Sequence, residues 1–262
     1  MAYNKSRHHR LHEILDLGSA EMTGELSPID TAKFAAARRA ADIVENGMQV
    51  GLGTGSTAAW LVRCLGERVC DTGLQIKCVP TSARTATLAR EAGIDVISLN
   101  EAKWLDLTID GADEFDGDGH LIKGGGGALL WEKIVATASD RMVVIADSHK
   151  KVECLGAFPL PVELIPFGWE TTKKLVEQVL ITLGFEEQNS ILRMNGDQNY
   201  RTDEGNHIID LHLHRIPEPR QLASLLNQVP GVVESGLFVD TCDTVIVGFG
   251  DGGVEVRDIE KK

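Results

Sequence analysis

Apolar and polar positions follow one another along this chain as short apolar runs separated by longer amphipathic stretches. DTAKFAAARRAADIV (30–44) gathers alanines on one face and predicts a helix capped by Asp30 or Thr31. MQVGLG then reads as a strand, GTGST as a glycine-rich turn, and AAWLVRCLGERV as a second helix. LQIKCVP is the next strand, Thr85 to Glu91 the next helix, and IDVIS and WLDLTID are further strands. A helix over ALLWEKIVA leads into the apolar run of DRMVVIAD. Strands alternating with helices in this way predict a parallel sheet covered on both faces.

The pattern changes at PLPVELIP. From there the chain reads as a strand at 162–165, a helix at about 169–183, a strand ILRM, and a loop from Asn195 to Asn206. A strand HIIDLHLH, a helix near 218–228 and a strand GVVESGLF complete a βαββαβ order, the signature of a ferredoxin-like unit. DTVIVGFGDGGVEVR reads as a hairpin returning to the first sheet. The expected fold is therefore α/β: a Rossmann-like parallel sheet domain (30–160 and 237–262) carrying an inserted ferredoxin-like α+β domain (161–236). Residues 1–29 are expected to be a poorly ordered extension with at most a short helix over LHEILDL. Its Arg7, His8, His9, Arg10 and His12 read as solvated side chains, and His212 and His214, alternating on one strand, as structural.

Composition narrows the function. The 262 residues are 43% hydrophobic and 25% charged, enough for a sizeable core. A net charge of -13 disfavours nucleic acid, so any phosphate the chain binds should be small and held locally. Five cysteines, odd in number and without a C-x-x-C pair, suggest neither a disulfide framework nor a zinc site, and fit a reducing cytosol. No apolar run is long enough to span a membrane, and the N-terminus lacks the apolar core of a secretory signal. A cytoplasmic protein without a membrane partner is expected.

Four segments carry candidate chemistry. In KGGGGALLWEK, Lys123 precedes four glycines, Gly124 to Gly127, and a helix N-terminus, where free N–H groups hold negative charge. Glu132 lies in that helix among Ala128, Leu129, Val135 and Ala136, surroundings that raise a carboxyl pKa and make it a better base, unless it sits on a solvated face. GLGTGST (51–57) joins a strand to a helix and suits a monophosphate held by backbone N–H groups and the hydroxyls of Thr54, Ser56 and Thr57; a tight turn with no ligand is the competing reading. Ser56 stands where a dinucleotide fingerprint needs glycine, and no Gly-Lys-Ser/Thr is present, so NAD and ATP are disfavoured. Asp110, Asp113 and Glu114 follow a strand, in a place to bind hydroxyls and move protons, or form an acidic loop; the spacing of a calcium loop fails for want of a glutamate after Gly119. ADSHKK (146–151) ends another strand with two lysines, either solvated or turned to a phosphate.

Together GLGTGSTA, DLTIDGADE, LIKGGGGALLWEKIVA and ADSHKK, with PLPVELIP, TDEGN and PGVVESGLF, resemble the ribose-5-phosphate isomerases of the A type from about Asp30 onward. That resemblance implies interconversion of D-ribose 5-phosphate and D-ribulose 5-phosphate through an enediol(ate), with no metal or organic cofactor. It makes Glu132 the base that shuttles a proton between C2 and C1, and Asp110 the acid or base on the sugar oxygens. Lys123 becomes the cation beside the enediolate, with Gly124, Gly125 and Gly126 as its amide donors, and Asp113 a sugar-hydroxyl ligand. It assigns the phosphate to Lys33, Gly55, Ser56, Thr57 and Lys150, and implies a homodimer or homotetramer. A sugar-phosphate sensor without catalysis and a nucleotide-dependent enzyme are the rival classes.

Overall fold

The structure, a computed structural model, describes residues 26–185 and 189–260; the short helix expected at LHEILDL and the histidines beside it lie outside the described residues. The chain opens with helix α1 (Pro28–Ala41), capped by the Ser27 side chain accepting from the Asp30 N–H, upstream of the caps expected from sequence. Pro28 at its start costs no hydrogen bond, because the first helical N–H groups have no intrahelical acceptor. Alanines 32, 36, 37, 40 and 41 are buried and let the helix lie close on its neighbours.

Strand β1 (Gln49–Leu52), helix α2 (Ser56–Thr72), strand β2 (Lys77–Pro80), helix α3 (Ala83–Glu91), strand β3 (Asp95–Val96) and the one-turn helix α4 (Leu99–Ala102) follow. Next come β4 (Leu107–Gly111), β5 (Glu114–Phe115), β6 (Leu121–Ile122), helix α5 (Leu129–Thr137) and β7 (Met142–Asp147). The second part comprises β8 (Leu160–Leu164), α6 (Trp169–Thr182), β9 (Asn189–Leu192), β10 (Met194–Asn195), β11 (Gln198–Asn199), β12 (His207–His212), α7 (Pro219–Leu226) and β13 (Val232–Ser235). Strands β14 (Leu237–Phe238), β15 (Thr244–Gly248) and β16 (Val254–Asp258) end the described chain.

Seven strands form the main sheet in the order β16-β15-β7-β4-β1-β2-β3, parallel throughout except where β16 folds back on β15 as the expected terminal hairpin. The order reverses between β1 and β4, so the connections leaving their carboxyl ends diverge and open a crevice there. Strand β7, buried at all six positions, lies next to β4 and brings Asp147 to the same edge.

The second sheet has the order β13-β8-β12-β9, all antiparallel, with α6 and α7 supplying Val176, Leu180, Leu222 and Leu226 to its core. Burying each such side chain is worth about 1.5–3 kcal/mol. A third sheet, β14-β6-β5, joins the two parts and seats Lys123 directly after β6, where its N–H donates to Gly236 O at 2.9 Å.

Several elements depart from the sequence reading. GVVESGLF is two strands: the chain leaves the antiparallel sheet at Gly236, where a Cβ would stand 2.3 Å from Lys123 O, and enters the third sheet as β14. The loop expected at 195–206 contains the small β10–β11 hairpin. HIIDLHLH stops pairing at His212 and His214 takes φ 61°, so the two histidines share no strand face. IDVIS keeps only Asp95 and Val96 as strand, and WLDLTID pairs from Leu107.

Candidate active site

Asp110 is the last residue but one of β4; it is completely buried and does not itself line the crevice. One carboxylate oxygen, Oδ1, accepts from the N–H groups of Thr54 (3.0 Å) and Gly111 (2.7 Å). This pairing needs glycine at 53, since a Cβ there would lie 1.9 Å from Asp110 Oδ1. The other oxygen, Oδ2, stands 2.9 Å from Lys123 Nζ, which also donates to Gly111 O (2.6 Å) and lies 3.4 Å from Glu132 Oε1. Three ionisable groups thus meet in a space from which water is nearly excluded; Lys123 is 2% exposed and Glu132 4%.

Glu132 sits in the first turn of α5, the helix expected after the glycine loop, which has no side-chain cap. Burial pushes its pKa up to about 8; Lys123 pulls against that shift, and Asp110 and Asp113 add to it. Burial also raises the Asp110 carboxyl, opposed by Lys123 and by its hydrogen bonds. Desolvation works against the charge of Lys123, but the two carboxylates outweigh it and its pKa is raised. Among the described residues Glu132 Oε2 has no hydrogen-bond partner, so one oxygen of the carboxyl is left for a ligand. The next residue, Lys133, is structural: it donates to Glu234 (2.7 Å), Ser235 O (2.7 Å) and Leu237 O (2.8 Å) and fixes α5 to β13 and β14.

The crevice is a cavity of about 520 Å³. Lys123, Gly124, Gly125, Gly126, Glu132 and Asp113 line it. Lys33 and Lys150 line it too, as do Gly55, Ser56 and Thr57 at the N-terminus of α2, where Gly55 takes φ 115° and the helix dipole favours an anion. Asp113 Oδ2 accepts from the Gly125 N–H at 2.7 Å, and a Cβ at 125 would stand 2.7 Å from Asp113 Oδ1 and push that carboxylate aside.

Thr54 differs from the expectation. Its hydroxyl turns away from the cavity into a cluster with Thr81 (2.7 Å), Ser82 (2.9 Å) and Thr85 (3.3 Å), while its N–H serves Asp110. Those three partners sit where β2 passes into α3, so Thr54 braces the turn instead of meeting a ligand.

Sequence reasoning missed a group of residues from the antiparallel unit. Arg193 donates to Gly124 O (2.9 Å) and Gly125 O (3.2 Å), and Tyr200 Oη to Gly126 O (3.2 Å). Within TDEGN, Asp203 accepts from the Ala83 N–H at the start of α3 (2.9 Å) and Glu204 from Trp131 Nε1 beside Glu132 (2.8 Å). The signal available was the polar run between two strands, which carries no spacing that points to a loop far away in the chain. His149, at 3.1 Å from Asp147, and the 157–159 segment also line the cavity. No group of three or more His, Cys, Asp or Glu side chains among the described residues is arranged to hold a metal ion.

A buried carboxylate–lysine cluster beside a cavity that reaches a helix N-terminus, at the switch point of a mostly parallel sheet, is the arrangement of an acid–base enzyme. The model of the family ribose 5-phosphate isomerase A (phosphoriboisomerase A) matches residues 77–252, and ribose-5-phosphate isomerase A of Ruegeria sp. (strain TM1040) is 71% identical over 240 residues, 92% of each chain. The chain belongs to the ribose 5-phosphate isomerase A family. Ribose 5-phosphate isomerase A of Methanocaldococcus jannaschii superposes with a TM-score of 0.79 at 36% identity, covering 86% of this chain and 97% of that one. A D-ribose-5-phosphate isomerase solved in complex with phospho-erythronic acid gives 0.80 at 37%, covering 88% and 99%.

Proposed function

We propose that this chain interconverts D-ribose 5-phosphate and D-ribulose 5-phosphate through an enediolate, as the isomerase of the non-oxidative pentose phosphate pathway. The observation that carries the reading is one cavity lined by Lys123 and Glu132 together with Ser56, Thr57, Lys33 and Lys150, with Asp110 buried behind it on Lys123. The complex of a relative with phospho-erythronic acid supports it, because that ligand too is a small phosphorylated sugar derivative.

In the open-chain aldose, Glu132 takes the proton from C2. The C2–H electrons form the C1–C2 double bond and O1 becomes the enediolate oxygen. Lys123 and the loop N–H of Gly126 stabilise that charge, the Gly125 N–H being taken by Asp113, and fixed donors in a dry site need no reorganisation as it forms. Asp110 moves a proton from O2 to O1, and Glu132 returns its proton to C1, leaving the ketone at C2. Asp113 holds a sugar hydroxyl. A positioned base of this kind contributes about 10² to 10⁴ in rate.

The proposal extends to the cell and to assembly. Five cysteines without a disulfide support a cytoplasmic location. Large exposed apolar side chains on the antiparallel unit, Phe167 (89% exposed) and Ile181 (63%) among them, support a homodimer or homotetramer. The deciding experiment is turnover of ribose 5-phosphate by EDTA-treated protein beside Glu132→Gln. Activity that survives EDTA and is lost in the variant supports the reading; a wild type that binds the sugar phosphate without turning it over would make the chain a sensor.

A further inference from the structure

Four successive glycines make a loop that is costly to hold in one shape, since fixing each backbone costs about 1–2 kcal/mol and glycine loses most. Its amides are useful for an oxyanion only if their directions are set before the substrate arrives. The carbonyls of the loop are held from outside. Arg193, just beyond β9, gives Nη1 to both Gly124 O (2.9 Å) and Gly125 O (3.2 Å). Its opposite edge is locked: Nε and Nη2 both donate to the carboxylate of Asp210 on β12. The guanidinium also lies 5.7 Å from the ring centroid of Tyr200, whose hydroxyl takes the third carbonyl, Gly126 O.

In a trans peptide the C=O of one residue and the N–H of the next point opposite ways. Holding the Gly124 and Gly125 carbonyls outward therefore turns the N–H groups of Gly125 and Gly126 inward. The first of these goes to Asp113 Oδ2 at 2.7 Å, and the Gly127 N–H closes a turn on Gly124 O at 2.9 Å. Of the amides these carbonyls orient, that leaves the N–H of Gly126, a residue that lines the cavity, for the ligand.

We infer that Arg193, fixed by Asp210, is a positioning residue for the isomerisation: it aims the Gly126 N–H at the developing enediolate oxygen. The inference rests on the isomerase reading above. Arginine suits this position because its planar fork serves a carboxylate on one edge and two carbonyls on the other; lysine, a single ammonium on a flexible stem, covers one side at a time. A positioning role also differs from general support in what it spares. The phosphate cradle at Ser56 and Thr57 is built by α2 and makes no use of the Arg193 contacts, so ground-state binding should outlast the loss of the clamp.

The test is steady-state kinetics of the full chain on ribose 5-phosphate for wild type, R193M, R193K and D210N, with inorganic phosphate as a competitive probe of the cradle. R193M is expected to lower kcat by about 10- to 100-fold, with KM and phosphate inhibition changing by less than about threefold. R193K should recover part of the loss. D210N, which keeps the arginine but loosens its anchor, should lower kcat by several-fold and decides the matter if R193M does not fold. R220M, which removes a surface cation paired with Asp240 outside the cavity, should match wild type. An inactive wild type would overturn the isomerase reading itself. An active wild type whose kcat R193M and D210N both match within twofold, or a loss shared equally between kcat and phosphate inhibition, would overturn the positioning role alone.

Discussion

Lys123 Nζ stands 3.4 Å from Glu132 Oε1, with both side chains buried, so the cation that would steady an enediolate also sets the basicity of the group that would create it. Burial drives the Glu132 pKa up to about 8 and Lys123 restrains the rise. The base works ionised, so kcat/KM of the free enzyme should climb as pH rises towards 8 and level off above it. Lys123→Met removes the restraint and the oxyanion donor together. In that variant the ascending limb should move to higher pH, and the plateau should fall by about 10² to 10³. Profiles measured from about pH 5.5 to 9.5 for both proteins check this; a wild-type profile flat over that range contradicts it.

The same shift has a consequence for stability. In the unfolded chain Glu132 titrates at its ordinary value of 4.5, and in the folded chain at about 8. Between those values the folded state holds a proton the unfolded state has released, so this group's contribution is present at low pH and is lost as pH rises through about 8. Glu132→Gln cannot ionise. Its stability relative to wild type should therefore increase between about pH 6 and pH 9, on the order of 2 kcal/mol after allowing for the coupling to Lys123. Urea midpoints at the two pH values measure the difference, and a gap that stays constant would remove the case for a high Glu132 pKa.

Much of this was legible in the sequence because the informative signals are local. A strand that ends in glycines and a helix that begins after them fix where N–H groups are free, so Ser56, Thr57 and Gly124 to Gly126, which line the cavity, could be picked out without a structure. The ferredoxin-like order of strands and helices followed from period alone, and the structure bears out the fold class as α/β with a mostly parallel sheet and separate antiparallel strands. What could not be read is contact across the sheets. The environment of Glu132 is apolar in sequence, but Lys123 reaches it from a loop and is itself paired with Asp110 on another strand. Thr54 looked like its neighbours Ser56 and Thr57, and only the position of β2 beside β1 reveals that its hydroxyl belongs to Thr81 and Ser82. Arg193 and Tyr200 meet the glycine loop from about seventy residues away in sequence.

The two hydroxyls of Thr54 and Ser56 give a sharp contrast. Ser56→Ala removes a group from the anion end of the cavity, where a hydrogen bond to a charged phosphate is worth about 1.5–3 kcal/mol. KM should rise by about 10-fold or more, with kcat little changed. Thr54→Val instead deletes a hydroxyl that three protein hydroxyls share. It should lower stability by about 1 kcal/mol and leave inhibition by inorganic phosphate where it was. Thermal melts and phosphate inhibition on the pair separate the two roles; a large loss of phosphate binding in Thr54→Val would restore Thr54 to the cradle.

Gly53 tests how closely β1 must approach β4. Alanine there needs no unusual backbone conformation, but its Cβ would stand 1.9 Å from Asp110 Oδ1 and 2.5 Å from Asp110 Cα. The carboxylate can swing aside, giving up the Thr54 and Gly111 N–H groups and its place 2.9 Å from Lys123, but the Cα can retreat only if the ends of two central strands part. Overpacking of this kind costs about 1–3 kcal/mol. The larger effect should be on turnover, because Asp110 and the cation it holds are displaced together: kcat should drop by about 10² or more, as ångström-scale misplacement of reacting groups does. Gly55→Ala is the counterpart. No atom lies within 4 Å of its Cβ, but the residue takes φ 115°, so the cost falls on the backbone of the anion turn and should appear in KM. If Gly53→Ala retained full kcat while losing only stability, Asp110 would have no part in the proton transfers and the chemistry would rest on Glu132 and Lys123.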